Sequence, residues 1–265
     1  MKGGGRMIKM RALILPLSFF SLFISCSFIL LFFIENYQDK KEREELISRK
    51  EYITEPAIIN TAEQAESENA EILPQYRELY NENPDLIGWV KIDGTPLDYP
   101  VMQNLSDGEY YLHRNFKKEY DYSGLPFLYI DCDINKPSTN LIIYGHNMKS
   151  DAMFSSLIKY TDKNYYLEHP VIRFDSLYEE AEYQIIAVVL SKVYRKSDNV
   201  FKFYKFIQAE TEEEFNEFID NMKQLSVYDT GISAAFGDQL LTLVTCSYHT
   251  ENGRLAVLAK KIKDD

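Results

Sequence analysis

Cysteine is scarce in this sequence, with three residues among 265. Cys26 lies inside a long apolar run, which leaves only Cys132 and Cys246 to form a disulfide. One bridge does not make a disulfide scaffold, so the chain must fold on a hydrophobic core. A Cys132–Cys246 bridge remains one interpretation, because extracellular segments permit disulfides. The other is that a free thiol is present for its chemistry.

Basic residues are also in short supply, 29 against 41 acidic ones. Four of the basic residues precede position 12, so the rest of the chain has 25 basic and 41 acidic residues, a net charge of −16. This balance disfavours nucleic acid as a partner, and none is expected, because neutralising phosphates needs a basic surface. Asp131 and Asp133 are two carboxylates without further ligands nearby in sequence, so no metal site is expected.

The longest apolar run, Ala12 to Ile34, contains no charged residue and has the length of a membrane-spanning helix. Basic but no acidic residues precede it, which places the N-terminus in the cytoplasm and the rest of the chain outside. A cleaved signal peptide is the alternative. The run exceeds a signal core, however, and no Ala-x-Ala-like site follows. We predict a single-pass cell-membrane protein with a cytoplasmic tail at 1–11, a signal-anchor at 12–34 and a polar stalk at 35–71.

Eight short segments beyond the stalk have the composition of β-strands and are separated by turn-rich loops. Such a pattern favours a closed or sandwiched β fold. The segments are 86–92, 97–102, 127–130, 140–144, 170–174, 182–193, 239–245 and 254–262.

Two helices are predicted around these strands. Apolar residues at helical spacing begin at Ile72, and Asn83-Pro84 ends that helix. The second helix starts with a capping box formed by Thr211 and Glu214. One apolar face follows it, made of Phe215, Phe218, Ile219 and Met222, and ordinary amphipathicity predicts that this face packs on the sheet.

Residues 242–254 are the most informative part of the chain. Cys246 ends a strand-like run, and such a position holds a thiol in a fixed direction, as a nucleophile requires. Arg254 begins the next strand-like run. If the two strands pair antiparallel, Arg254 returns beside Cys246, where its guanidinium can stabilise negative charge on the sulfur or on a substrate oxygen. The alternative is an exposed edge arginine without a role.

A thiol nucleophile needs a base, and four histidines are available. His146 follows the apolar strand 140–144 through Gly145, which we expect to allow a sharp turn at the mouth of a buried strand. His249, three residues after Cys246, is the competing candidate, although closeness in sequence does not aim its ring at the thiol. The other two are His113, in a polar loop, and His169, before Pro170.

Residues 72–262 resemble the sortases, and more narrowly the class B sortases. The resemblance is carried by residues 86–92, by Tyr-Gly-His-Asn-Met within 140–148, and by Thr-Leu-Val-Thr-Cys at 242–246 with Arg254. The two helices look like the extra helices of class B. The resemblance implies a closed eight-stranded β-barrel with an N-terminal helix and an amphipathic helix near 211–224. It makes 72–265 the catalytic domain.

The same resemblance implies a cysteine transpeptidase of Gram-positive cell surfaces. Cys246 would attack a C-terminal sorting motif of secreted proteins, and His146 would protonate the leaving amine and later deprotonate the incoming one. Arg254 would hold the substrate and stabilise the oxyanion. The acceptor would be a peptide amine of the cell wall, and no organic cofactor is needed. Substrate-binding residues are expected to include Thr245, at the oxyanion pocket, Tyr144 and Asn147.

Three other functions remain open at this level. The same residues would serve a cysteine hydrolase that uses water as the acceptor. A pilin-polymerising sortase would use a lysine of another pilin instead. A membrane-tethered binding module without catalysis is the third. Neither the sorting motif nor the acceptor amine can be read from one chain.

Overall fold

The computed structural model describes residues 4–51 and 71–263. The chain divides into two compact units, Met1–Leu46 and Ile47–Asp265. Helix α1 covers Gly4–Glu51 and is long and apolar enough from Phe20 onward to be a candidate membrane span, by length and composition. No other helix in the described part of the chain passes that test. The helix continues beyond residue 35, and the predicted stalk from residue 52 to 70 lies outside the described residues.

The second unit contains an eight-stranded closed barrel, as predicted. Its strand order is β1-β2-β3-β4-β7-β8-β6-β5. The strands are β1 Leu86–Lys91, β2 Asp98–Met102, β3 Phe127–Leu128, β4 Asn140–Tyr144, β5 Val171–Ser176, β6 Glu182–Lys192, β7 Leu240–Cys246 and β8 Gly253–Lys261. Each predicted strand is present. Only β3 is much shorter than expected, because the N–H of Cys132 donates to the carbonyl of Tyr129 and closes a turn.

Two strand pairings determine where the ends of β4, β7 and β8 meet. β4 runs parallel to β7, with Tyr144 opposite Val244. β7 runs antiparallel to β8, so that β8 begins where β7 ends. Parallel neighbours finish at the same edge of a sheet. The residues after β4, the last residue of β7 and the first residues of β8 therefore share one end of the barrel.

The two predicted helices of the barrel unit are also present. Helix α2 covers Pro74–Glu82 and ends at Asn83, whose N–H donates to the carbonyl of Leu79 at 2.9 Å. An additional helix that was not predicted, α3, covers Lys163–Glu168 and is too short to show a helical period in the sequence. Helix α4 covers Glu212–Leu225, and its capping box is complete. Its four apolar residues are buried, and the helix packs against β6.

Candidate active site

Cys246 and Arg254 face each other across the last pair of β7 and β8. Cys246 is the final residue of β7 and is partly exposed, whereas the six residues before it are buried. Arg254 is its directly paired partner on β8, as predicted. Directly opposite residues of an antiparallel pair project to the same face, with Cβ atoms about 4.5–5.5 Å apart. The Arg254 guanidinium donates to the carbonyl of Gly253 at 3.0 Å, which fixes part of its orientation.

The structure contradicts a Cys132–Cys246 disulfide, since both thiols are free. Cys132 is buried, and its thiol lies 3.5 Å from the carbonyl of Asn140. Burial raises the pKa of the Cys132 thiol to about 11, so this thiol remains protonated at neutral pH. Cys246 is thus the more accessible thiol of the barrel.

His146 lies two residues beyond β4 and is held through one ring nitrogen. Its Nε2 is 2.9 Å from the carbonyl of Leu112. A carbonyl only accepts hydrogen bonds, so Nε2 carries a proton and Nδ1 is the nitrogen that can gain or lose one. The pKa of His146 is lowered from its ordinary value, chiefly by burial and also by the nearby His113, while the bond to Leu112 opposes the shift.

Gly145 is required for a different reason from the one predicted. It does not have a positive φ, so the expected sharp turn is wrong. Its N–H instead donates to the carbonyl of Val244 at 3.0 Å and continues the parallel pairing beyond β4. A Cβ at this position would lie 2.6 Å from the ring of Phe154. Glycine is needed because that ring packs directly on the backbone before His146.

One cavity of about 570 Å³ brings the three predicted catalytic side chains together. Cys246, His146 and Arg254 all line it. The walls are otherwise largely aromatic and aliphatic, with two carboxylates, Asp107 and Glu109, at the lining. An apolar cleft with a few converging polar groups is the usual form of a small-molecule or peptide site.

The predicted substrate-binding residues occupy different positions around this cavity. Tyr144 lines it, and burial raises the pKa of its phenol, an effect that Arg254 partly offsets. Thr245 also lines it, but its hydroxyl donates to the carbonyl of Gly145 at 2.8 Å. Asn147 donates its side-chain amide to the carbonyl of Cys246 at 2.9 Å. Thr245 and Asn147 therefore tie the end of β7 to the segment that carries His146.

The competing histidine is not placed like His146. His249 lies within the β7–β8 loop, where its Nδ1 is 2.8 Å from the hydroxyl of Ser247. It does not line the cavity described above. Sequence analysis placed His113 in a polar loop and gave it no role, yet its ring stacks on that of His146 with centroids 5.3 Å apart. No local signal reveals this contact, because the two residues come from different loops.

No metal-ligand cluster is present among residues 4–51 and 71–263, where no three His, Cys, Asp or Glu side chains converge. A thiol with a neighbouring imidazole and a charged donor is the arrangement of covalent acyl transfer.

Comparison with known proteins agrees with that chemistry. The sequence model of the Sortase domain family matches residues 90–262. A sortase B from Listeria monocytogenes is 32% identical over 233 residues, which are 86% of this chain and 88% of that protein. A solved Staphylococcus aureus sortase B–substrate complex has a TM-score of 0.73 at 26% identity, covering 88% of this chain and 100% of the other. A sortase B complexed with Gly3 has a TM-score of 0.72 at 26% identity, with 86% and 99% covered.

The barrel, its cavity and these matches define the class of protein: this is a cysteine transpeptidase. The chain belongs to the sortase family, and the relatives and solved neighbours just described are sortases of class B. The predicted family and enzyme class are confirmed, and the alternative of a silent binding module is wrong. Sortases act at the cell surface. In this chain, the apolar helix α1 is a candidate membrane span.

Proposed function

We propose that this protein is a membrane-anchored transpeptidase that cleaves a C-terminal sorting motif of secreted proteins and joins them to a cell-wall peptide amine. The observation that carries the proposal is the pairing of Cys246 with Arg254 at the cavity that His146 also lines. A thiol, a proton carrier and a charged donor at one cavity are the groups that thioacyl transfer requires.

In the first half of the reaction, the Cys246 thiolate attacks the carbonyl carbon of the scissile peptide bond. The carbonyl electrons move onto oxygen, and the Arg254 guanidinium stabilises that oxyanion. His146 donates a proton to the departing amine as the C–N bond breaks. Its lowered pKa makes the imidazolium a stronger acid than an ordinary histidine. The product is a thioester between Cys246 and the sorted protein.

In the second half, an amine of the cell-wall peptide enters the cavity. His146 is now neutral and accepts a proton from this amine as it attacks the thioester carbon. The C–S bond breaks, the Cys246 thiolate leaves, and a new peptide bond remains. The apolar walls support this outcome because they limit the access of water, the competing acceptor.

The proposed topology places residues 1–11 in the cytoplasm, 12–34 in the bilayer, 35–71 as a stalk and 72–265 outside the cell. The basic residues before position 12 and the apolar helix α1 support this arrangement. Tethering the barrel to the outer face of the membrane keeps it where secreted proteins emerge and where cell-wall peptides are built.

The acceptor is tested with the full chain in detergent micelles. A quenched fluorescent peptide library identifies a cleaved sequence, which is then incubated with and without Gly3, the molecule held by one solved sortase B. We expect a peptide–Gly3 adduct by mass spectrometry and faster release of the leaving fragment. Cleavage that Gly3 does not change, without an adduct, would identify a hydrolase. An adduct only with a lysine side-chain amine would favour pilin polymerisation.

Replacing Arg254 by lysine tests the oxyanion role. We expect kcat/KM for the cleaved peptide to fall roughly 100-fold, because a point charge replaces a planar fork that donates several hydrogen bonds. Arg173→Lys is the matched control, since Arg173 on β5 forms exposed ion pairs with Asp93, which follows β1, and with Glu182 on β6, and it lies outside the cavity. A lysine at 254 with wild-type kcat/KM would rule out the proposed role of the guanidinium.

A further inference from the structure

His113 is packed between the candidate catalytic histidine and an exposed aromatic surface. It ends a short 3₁₀ helix, Tyr110–His113. The ring stacks on His146 at a centroid distance of 5.3 Å and an interplanar angle of 27°. It also stacks on Tyr122 at 6.0 Å and 21°. Its Nδ1 lies 3.2 Å from the carbonyl of Tyr122, which fixes a proton on that nitrogen.

The same short helix holds His146 in two ways. Leu112 supplies the carbonyl that binds His146 Nε2, and the next residue, His113, supplies the ring that covers it. The helix is fixed in turn by Gly124, which has a φ of 56°. A Cβ on Gly124 would lie 2.4 Å from the carbonyl oxygens of Tyr111 and Leu112. The segment around Gly124 thus packs directly on the helix and limits its movement.

Two imidazoles this close interact strongly when both are charged, because like charges disfavour each other's protonated form. The other groups around the pair are mixed in sign. From β7 and β8 the thiol of Cys246 and the guanidinium of Arg254 face the cavity, and Asp107 and Glu109 line it before the 3₁₀ helix. Outside the cavity, the ring of Tyr120 lies 6.2 Å from His113, and the guanidinium of Arg114 stacks on Tyr110.

We propose that His113 is a positioning residue for His146: its ring and the Leu112 carbonyl hold the imidazole in one orientation, and a charge on either stacked ring disfavours a charge on the other. The proposal rests on the proposed role of His146 as the proton carrier. Its lowered pKa is consistent with this coupling, although burial is the larger cause.

The test is a titration followed by NMR on the full chain in detergent micelles, with ¹³C at the Cε1 of histidine. The chain has four histidines, so each signal is assigned by replacing one of them. His113→Asn keeps a donor for the Tyr122 carbonyl, whereas His113→Phe keeps the stacked ring; both remove the charge. We expect the pKa of His146 to rise by about half a unit or more in both variants.

The outcomes separate charge from packing. A His146 pKa that stays within about 0.2 units of the wild-type value in both variants would overturn the proposal. A rise in only one variant would also overturn it, because neither variant carries the charge. His169→Asn is the control and leaves the His146 titration unchanged, since His169 packs against Tyr165 instead. The titration needs no substrate, so its result does not depend on whether His146 proves necessary for peptide cleavage.

Discussion

We expect the Cys246→Ala variant to lose peptide cleavage and adduct formation by a factor of about 10⁴ or more. The sulfur is the only atom of this residue that can form the thioester, so no other step replaces it. Cys246 is partly exposed at the end of β7, so its loss leaves the core intact. Fluorescent peptide turnover measures the loss. Intact mass spectrometry checks that the acyl-enzyme adduct seen with the wild type is absent.

Cys132→Ala is the matched control because it removes the other thiol of the barrel. Cys132 is buried, protonated and outside the cavity. We expect wild-type turnover together with a loss of roughly 1 kcal/mol of stability, since a small cavity replaces the sulfur. An acyl adduct that survives in Cys246→Ala and disappears in Cys132→Ala would show that the nucleophile is Cys132 and not Cys246.

The second large effect is expected for His146→Ala, whose turnover should fall by about 10²–10⁴-fold. Without the imidazole, the leaving amine departs unprotonated, and no group takes the proton of the incoming amine. Peptide affinity changes little, because the cavity walls remain. Kinetics with the cleaved peptide measure kcat/KM, and fluorescence anisotropy of the same peptide bound to the Cys246→Ala background measures affinity.

His249→Ala distinguishes the two candidate histidines. His249 contacts Ser247 in the loop and does not line the cavity, so we expect turnover within about threefold of wild type. Near-wild-type turnover in His146→Ala, with a large loss in His249→Ala, would move the proton transfer to the loop. Losses in both variants would point to a loop conformation that both residues support.

Much of the site was predictable because its signals are local. Cys246 and Arg254 stand on two strands joined by one short loop, and an antiparallel hairpin brings such residues together. The capping box of α4 was also predictable, since Thr211 and Glu214 interact over a single turn. In both cases, the partners are close in the chain, so pattern and spacing determine their contact.

Other parts were not predictable because they depend on residues far apart in the chain. Gly145 is explained by the ring of Phe154 and not by a turn, which only the packed structure reveals. Asn147 reaches the carbonyl of Cys246 across 99 positions of sequence. The early end of β3 was also not predicted, because the carbonyl of Tyr129 closes a turn.

The sequence by itself determined the family, the barrel class and the identity of the three candidate catalytic side chains. Their motifs are short, and the strand segments stand out by their composition between turn-rich loops. Only the tertiary structure decided which nitrogen of His146 holds the proton and which ring lies against it. Those properties come from Leu112 and His113, and a histidine's electrostatics depend on whatever the fold packs around it.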